Sequence, residues 1–207
     1  MEKTAEIELK AHVGDPNRCK EKLCTLAGVE TVFSKDDVYW FVPAHEGSDK
    51  TSRLRLPSGL RVRRESTALP DGAARQSCTK ITWKNKEKRA DGLEVNEEHE
   101  FEVSAGTVFE ELLTLLGLEK QISKHKQGWS WRYRGITAEL CEVTGALDES
   151  KEQPKNLGWF LELEILAEEE NGKIVAEAKE RLFALLEETG IGKENIESRY
   201  YRELLAD

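Results

Sequence analysis

Hydrophobic and polar residues alternate along several short stretches of this sequence. An alternation with a period of two puts the apolar side chains on one face of a β-strand and the polar side chains on the other face. The alternating stretches are residues 6–13, 54–63, 80–84, 98–103, 129–140 and 160–166. This pattern predicts that antiparallel strands dominate the fold.

Other segments have the spacing of amphipathic helices, with apolar residues three and four positions apart. They are residues 15–28, 107–116, 172–189 and 198–205. Asp15 is an N-cap residue at the start of the first segment, and Thr107 can form a capping box with Glu110 at the start of the second. Residues 66–77 and 145–157, which are rich in small and polar residues, are predicted to be loops. The chain is therefore expected to have an α+β fold.

The composition limits the classes of protein to which this chain can belong. With 207 residues and a formal net charge of -9, we expect a single domain over residues 1–207. The acidic balance disfavours a protein that coats nucleic acid or an anionic membrane with basic residues. No signal peptide and no apolar run of about 20 residues is visible. The four cysteines lack metal-binding spacing, so reduced thiols and a cytoplasmic location are expected.

Charged residues share one face of five predicted strands. These charged residues are Glu6, Glu8 and Lys10; Arg61 and Arg63; Lys80 and Lys84; Glu98, Glu100 and Glu102; and Glu162 and Glu164. A solvated outer face is the common explanation of such a pattern. However, acidic and basic pairs here lie on different strands, whereas a solvated face usually mixes the two signs. If the helices cover the apolar face, the charged face lines the interior of a barrel, and both interpretations stay open at this point.

A barrel lined by arginine and lysine side chains needs counter-charges, because an unpaired buried ion costs several kcal/mol. Carboxylates on the opposite wall, or a bound polyanion such as a triphosphate, would supply them. Carboxylates without nearby histidine or cysteine suit hard cations such as Mg²⁺ or Mn²⁺, which bridge phosphate oxygens. The sequence contains no glycine-rich phosphate loop, and its four histidines lack metal-ligand spacing. A charged lumen would therefore combine metal, phosphate and basic side chains.

Eight short motifs follow one another over almost the whole chain. They are Glu6-Ile7-Glu8-Leu9-Lys10, Asp37-Val38-Tyr39-Trp40, Leu60-Arg61-Val62-Arg63, Thr82-Trp83-Lys84, Glu98-His99-Glu100, Lys124-His125-Lys126, Gly158-Trp159-Phe160-Leu161-Glu162-Leu163-Glu164 and Ser198-Arg199-Tyr200-Tyr201-Arg202-Glu203-Leu204-Leu205. In this order they resemble the CYTH, or triphosphate tunnel, family, and the last motif is similar to the class IV adenylate cyclase branch. Two positions depart from the family pattern, with Cys141 where aspartate is common and Asn96 where arginine is frequent. Glu139 has the same strand parity as Cys141 and could replace the missing acid.

The resemblance implies a closed eight-stranded antiparallel β-barrel, a tunnel with a charged interior that is flanked outside by amphipathic helices. It implies that Mg²⁺ or Mn²⁺ is held by Glu6, Glu8, Glu98, Glu100, Glu162 and Glu164. The implied triphosphate clamps are Lys10, Arg61, Arg63, Lys84, Lys124 and Lys126, and Lys10 is also assigned a catalytic role. Arg132 either adds positive charge to this site or is a surface arginine beside a hairpin turn.

The implied function is an enzyme that acts on ATP, tripolyphosphate or thiamine triphosphate. A class IV adenylate cyclase would convert ATP to cyclic AMP and pyrophosphate. A triphosphatase would release phosphate with the same groups, because both reactions depend on positioning and charge neutralisation. A non-catalytic module that binds polyphosphate or nucleotides is the third hypothesis. A homodimer is implied by the resemblance alone, and no nucleic-acid or membrane partner is expected.

Overall fold

The structure is a computed structural model that describes residues 4–28, 30–43, 59–88, 93–148, 153–167 and 171–207. Its strands are β1 (Thr4–His12), β2 (Thr31–Phe41), β3 (Leu60–Ala68), β4 (Gln76–Lys88), β5 (Leu93–Val103), β6 (Glu119–Tyr133), β7 (Ile136–Ala146) and β8 (Lys155–Ala167). Its helices are α1 (Pro16–Ala27), α2 (Gly106–Leu115), α3 (Gly172–Glu188) and α4 (Tyr201–Ala206), with a 3-10 turn at Lys193–Asn195. None of the helices in this described part is both long enough and apolar enough to cross a membrane.

The strands form one antiparallel sheet that curls round until its two outermost strands pair. The hydrogen-bonded order is β1-β5-β4-β3-β2-β6-β7-β8, and β8 pairs in turn with β1. Each strand therefore has a neighbour on both sides, which is how a barrel satisfies the backbone groups of its strands. The predicted α+β class and the curled antiparallel sheet are confirmed.

The main hydrophobic core lies between the outside of the sheet and the helices α1 and α3. In β1, Ile7 and Leu9 are fully buried in this core. Glu6 and Lys10, on the other face of the same strand, point into the barrel. Helix α3 covers the sheet with an apolar stripe that includes the fully buried Leu182. Because burial of one such leucine contributes roughly 1.5–3 kcal/mol, these contacts hold the apolar faces outward and leave the charged faces to the lumen.

The start of helix α2 differs from the sequence-based prediction. The helix begins after Ala105, and no side chain caps it. The capping box predicted for Thr107 and Glu110 is therefore wrong. The Glu110 carboxylate instead forms ion pairs with Arg64 and Lys120, and these pairs tie α2 to strands β3 and β6.

Two predicted loops are shorter in the structure because the strands extend into them. Strand β3 continues to Ala68 and β4 begins at Gln76, inside the predicted loop 66–77. Strands β7 and β8 likewise take up both ends of the predicted loop 145–157. The polar composition of these strand ends concealed their backbone pairing. Residues 54–58, which belong to a predicted strand, lie outside the described residues.

Candidate active site in the barrel lumen

A cavity of about 400 Å³ lies inside the barrel, which is a size found in small-molecule sites. Its acidic lining residues are Glu6, Glu8, Glu94, Glu139, Glu162 and Glu164, and its basic lining residues are Lys10, Lys35, Arg61, Arg63, Lys124, Lys126 and Arg202. These six carboxylates and seven basic groups nearly balance in charge. A triphosphate carries several negative charges, so its binding here requires cations in addition to those of the protein.

The structure brings nine of the predicted site residues to the wall of this cavity. They are Glu6, Glu8, Lys10, Arg61, Arg63, Lys124, Lys126, Glu162 and Glu164. Their strand faces therefore point into the barrel and do not form a solvated outer surface. Glu98 and Glu100 lie next to this wall, with carboxylate oxygens 3.4 Å and 3.5 Å from Nη2 of Arg61.

Two predicted phosphate clamps are not part of the described cavity wall. Arg132 is exposed and lies beside a second depression, which shares the lining residue Glu139 with the cavity. This placement favours its interpretation as a surface arginine. The side chain of Lys84 lies outside the described residues, although its backbone pairs with that of Glu98 across β4 and β5.

A buried carboxylate holds two of the basic clamps in place. Asp37 on β2 lies between its register partners Arg63 on β3 and Lys124 on β6. Its Oδ1 accepts a hydrogen bond from Nε of Arg63 at 2.6 Å, and its Oδ2 accepts one from Nη2 at 2.9 Å. Nζ of Lys124 lies 3.2 Å from the same Oδ2. Burial favours a raised pKa for Asp37, but Arg63 and Lys124 outweigh it and keep the pKa well below its usual range.

The C-terminal helix α4 reaches into the lumen through Tyr201. The Tyr201 hydroxyl donates a hydrogen bond to Oε1 of Glu162 at 2.6 Å, and Lys126 forms a close ion pair with the same carboxylate. The Nζ atoms of Lys10, Lys124 and Lys126 lie 4.6, 4.8 and 5.2 Å from the centre of the Tyr201 ring. Burial acts to raise the pKa of Glu162, yet Lys126 and Lys124 lower that pKa. The carboxylate is thus kept ionised, and the ring is stabilised by cation–π attraction.

Sequence analysis missed further lining residues, among them Lys35 and Glu94. Lys35 forms an ion pair with Glu139 at 2.5 Å, and Glu94 is the register partner of Glu8. Each side chain shares a strand face with a residue of a recognised motif. Lys35 stands two positions before Asp37 on β2, and Glu94 stands four positions before Glu98 on β5. Extension of the period-two pattern by one or two repeats would have found them.

The two candidates for the missing acid of the family occupy different surroundings. Cys141 is fully buried against Phe33 and Phe160, and burial raises the pKa of its thiol. Glu139 lines the cavity, where burial acts to raise the pKa of its carboxyl group but Lys35 and Lys126 together lower that pKa. Of the two, Glu139 therefore presents an ionised carboxylate to the lumen.

The oxygen donors of the lumen fit a hard divalent cation. Glu8 on β1 lies between Glu94 on β5 and Glu164 on β8 in the strand register, so three carboxylates form a row. Like charges in such a row repel each other, and a cation bound between them would remove the repulsion. Within the described residues, no three carboxylate, imidazole or thiol groups converge as a ready metal site, so a cation held by one or two of these carboxylates would take water or phosphate oxygens as its other ligands. The buried Oδ1 of Asn96 has no hydrogen-bond partner in the described part of the chain. This oxygen atom is a further candidate ligand for the cation.

A curled antiparallel sheet with a charged lumen defines a class of proteins that bind ligands inside a tunnel. The CYTH domain model matches residues 4–201, and this chain belongs to the CYTH domain family. The family is a metal-dependent triphosphate tunnel fold, and its members act on triphosphates. The family identified from the sequence motifs is thereby confirmed. Comparison with curated protein sequences gave no match.

Solved structures of similar proteins share this fold. The PH1819 protein from Pyrococcus horikoshii OT3 has a TM-score of 0.67 at 23% identity, over 97% of this chain and 98% of that chain. A candidate adenylate cyclase from Vibrio parahaemolyticus has a TM-score of 0.65 at 17% identity, over 98% of both chains. HpAC1 from Hippeastrum, a candidate adenylyl cyclase described as having a dominant triphosphatase activity, has a TM-score of 0.53 at 15% identity, over 97% and 95%. At these identities the likeness establishes the fold alone.

Proposed function

We propose that this protein is a divalent-metal-dependent enzyme that hydrolyses a triphosphate bound in the barrel lumen. The observation that carries the proposal is a single cavity in which basic side chains and carboxylates face each other. Phosphoryl transfer requires mainly positioning and charge neutralisation from a protein, and this cavity offers both. The triphosphatase activity described for the Hippeastrum structure supports hydrolysis as the first candidate reaction.

The basic residues of the lumen would bind the phosphate oxygens. Arg63 and Lys124 are already oriented by Asp37, so little side-chain entropy is lost when an anion binds. Nε of Arg61 is buried without a hydrogen-bond partner among the described residues. Such an unsatisfied buried donor costs stability until an acceptor reaches it, which supports a role for Arg61 in anion binding.

The carboxylates of β1 and β8 would hold the metal. They are Glu6, Glu8, Glu162 and Glu164. A divalent ion bound there supplies charge neutralisation for the phosphates and a lowered pKa for a bound water. Glu94 and Glu139 extend this acidic wall, and Glu139 would replace the acid that the family commonly has at the position of Cys141.

Lys126 is the residue whose partner must change when substrate binds. Its ammonium group is paired with Glu162. Burial acts to lower the pKa of Lys126, but Glu162 together with the nearby Cys141 and Glu139 raises that pKa. A phosphate oxygen that takes the place of Glu162 at Lys126 would leave this carboxylate available to the metal. Both groups stay neutralised throughout such an exchange, so the large cost of an isolated buried charge is avoided.

Cyclisation of ATP is the second candidate reaction. Residues 198–205, which resemble the adenylate cyclase branch, include most of helix α4, and Tyr201, Arg202 and Leu205 of this helix line the cavity. In a cyclase the ribose 3′-hydroxyl would attack the α-phosphate, forming cyclic AMP and releasing pyrophosphate. A non-catalytic module would bind the same ligands and form neither product.

Product analysis tests these reactions. The purified protein is incubated with Mg²⁺ or Mn²⁺ and with ATP, tripolyphosphate or thiamine triphosphate in turn. Orthophosphate is the expected product, and cyclic AMP with pyrophosphate would establish the cyclase instead. Lys126→Gln should lower kcat by about 10²–10³-fold. The control Lys173→Gln, at an α3 side chain that is 86% exposed, should keep wild-type turnover. Absence of product with every substrate, or full activity of Lys126→Gln, would contradict the proposal.

A further inference from the structure

One aromatic side chain contacts three of the predicted phosphate clamps. The Nζ atoms of Lys10 on β1 and of Lys124 and Lys126 on β6 lie 4.6, 4.8 and 5.2 Å from the centre of the Tyr201 ring. Strands β1 and β6 are separated in the sheet by β7 and β8. Because all three nitrogen atoms lie within 5.2 Å of one point, the ring gathers cations from two parts of the barrel wall into one cluster.

The ring offsets a repulsion that would otherwise separate these lysines. Ammonium groups in one cluster repel one another, and nearby carboxylates draw them apart, Lys124 towards Asp37 and Lys126 towards Glu162. The face of an aromatic ring attracts a cation that lies within about 6 Å of its centre. The Tyr201 ring is a contact that all three lysines share, so it favours the arrangement in which they stay together.

Contacts on its other sides hold the ring in this position. The Tyr201 hydroxyl donates a hydrogen bond to Oε1 of Glu162 at 2.6 Å. The Phe160 ring meets the Tyr201 ring edge-on, with centres 5.1 Å apart and 85° between the planes, which is an arrangement that aromatic pairs prefer. Nζ of Lys155 donates a hydrogen bond to the carbonyl of Leu204 in the same helix at 3.1 Å. The ring is therefore oriented before any ligand binds.

We infer that Tyr201 is a positioning residue for the triphosphate, whose ring holds the ammonium groups of Lys10, Lys124 and Lys126 together where the phosphate chain binds. The inference rests on the proposed function, because the cluster lines the same cavity. An ammonium group has three N–H donors, so contact with the ring leaves donors that can reach phosphate oxygens. Ordering of a long side chain by a ligand weakens binding, and a cluster assembled in advance avoids much of this loss.

A ring that occupied the phosphate site itself would have the opposite effect, since its removal would then strengthen binding. The cavity of about 400 Å³ that Tyr201 lines favours the positioning role, because space for a small-molecule ligand exists with the ring in place.

Graded weakening of the ring face tests the inference with little change of shape. Fluorine atoms withdraw electron density from the face that attracts cations, so we would compare Tyr201→Phe with replacement of Tyr201 by 3,4,5-trifluorophenylalanine. The probe is imidotriphosphate, a tripolyphosphate analogue whose bridging nitrogens resist hydrolysis, and its Kd is measured by calorimetry in Mg²⁺. Relative to Tyr201→Phe, the trifluorinated variant should raise the Kd by about 10-fold, because the ligand itself must then order the lysines. The KM for tripolyphosphate should rise with it while kcat changes less.

The same fluorination at Phe183 provides the matched control. This ring lies on α3 outside the cavity, and the Nζ atoms of Lys179 and Lys193 lie 5.6 and 5.2 Å from its centre. Its fluorination should leave the Kd unchanged. An unchanged or lowered Kd on fluorination at Tyr201 would overturn the inference, and turnover of tripolyphosphate by the wild type would then leave the proposed function standing. A wild type that neither binds the analogue nor hydrolyses a triphosphate would overturn the proposed function itself.

Discussion

Replacement of Asp37 by alanine should cost far more stability than replacement of an exposed acidic residue. Asp37 has 1% of its surface exposed and neutralises both Arg63 and Lys124. Removal of one partner from a buried ion pair costs about 3–5 kcal/mol, because the remaining charge stays in a medium of low polarity. Asp37→Asn keeps the size and one acceptor, so its cost should be smaller, about 1.5–3 kcal/mol. Equilibrium unfolding in urea at pH 7 measures both values.

Tripolyphosphate should restore part of the stability that Asp37→Ala loses. A ligand that binds only the folded state stabilises it by about 2.7 kcal/mol at 100 times its Kd. The variant leaves Arg63 and Lys124 without their counter-charge, which should lower the Kd for a polyanion. The same concentration of tripolyphosphate should therefore raise the unfolding free energy of the variant more than that of the wild type.

The effect of Asp37 should also depend on pH. Its pKa is lower in the folded protein than in the unfolded chain, so its contribution is complete above the unfolded pKa of about 3.9 and is lost as the pH falls through the folded value. The difference in unfolding free energy between the wild type and Asp37→Asn should stay constant from pH 7 to about 4. It should shrink at lower pH.

The neighbouring Asp36 provides the control. Its side chain is 60% exposed on the other face of β2, where it pairs with His125. Exposed ion pairs of this kind contribute about 0–1 kcal/mol, so Asp36→Ala should have little effect. If Asp37→Ala loses no more stability than Asp36→Ala, the buried ion pair does not organise the clamps, and the reasoning is refuted.

Three further substitutions, one of them with a control substitution, probe other parts of the structure. Cys141→Asp should destabilise the protein by about 3 kcal/mol or more in urea, because it introduces an unpaired carboxylate at a fully buried site. Hydrogen bonds from Arg199 lower the pKa of Glu197 to about 2, so the wild type should lose stability as the pH falls from about 4.3 towards this value. Thermal unfolding of Glu197→Gln should show a flatter profile. Gly128→Ala should prevent folding, as judged by circular dichroism, since its Cβ would overlap a backbone carbonyl of β7. Gly14→Ala, where nothing lies within 4 Å of the added atom, should fold normally.

The charges of each strand could be assigned to one face because the period of a strand is two, and the resemblance to the CYTH family indicated that this face points inward. In β1, apolar Ile7 and Leu9 alternate with Glu6 and Lys10, and helices that needed an apolar surface indicated which face was outside. Once one residue of a strand is assigned to a face, every second residue along the strand is assigned to the same face. This rule explains why most of the charged wall was identified without a structure.

Lys35 was missed because β2 is polar on both faces around this residue. Ser34 and Asp36 lie on the outside of β2 while Lys35 and Asp37 lie inside, so hydrophobicity does not alternate there. The cluster of Phe41, Ile122 and Leu205 escaped detection for a different reason. Phe41 and Leu205 are more than 160 positions apart in the chain, and only the tertiary fold brings them together. Local patterns contain no information about such a contact.

The pairing of β1 with the C-terminal segment determines when the lumen can form during synthesis. The carbonyl of Lys10 accepts a hydrogen bond from the backbone N–H of Glu197 at 2.8 Å, and its Nζ donates to the carbonyl of Arg199 at 2.6 Å. These partners emerge from the ribosome almost 190 residues after Lys10. Contacts of such long sequence separation form slowly. The contacts that join β1 to residues 197–199 are therefore expected to form late in folding.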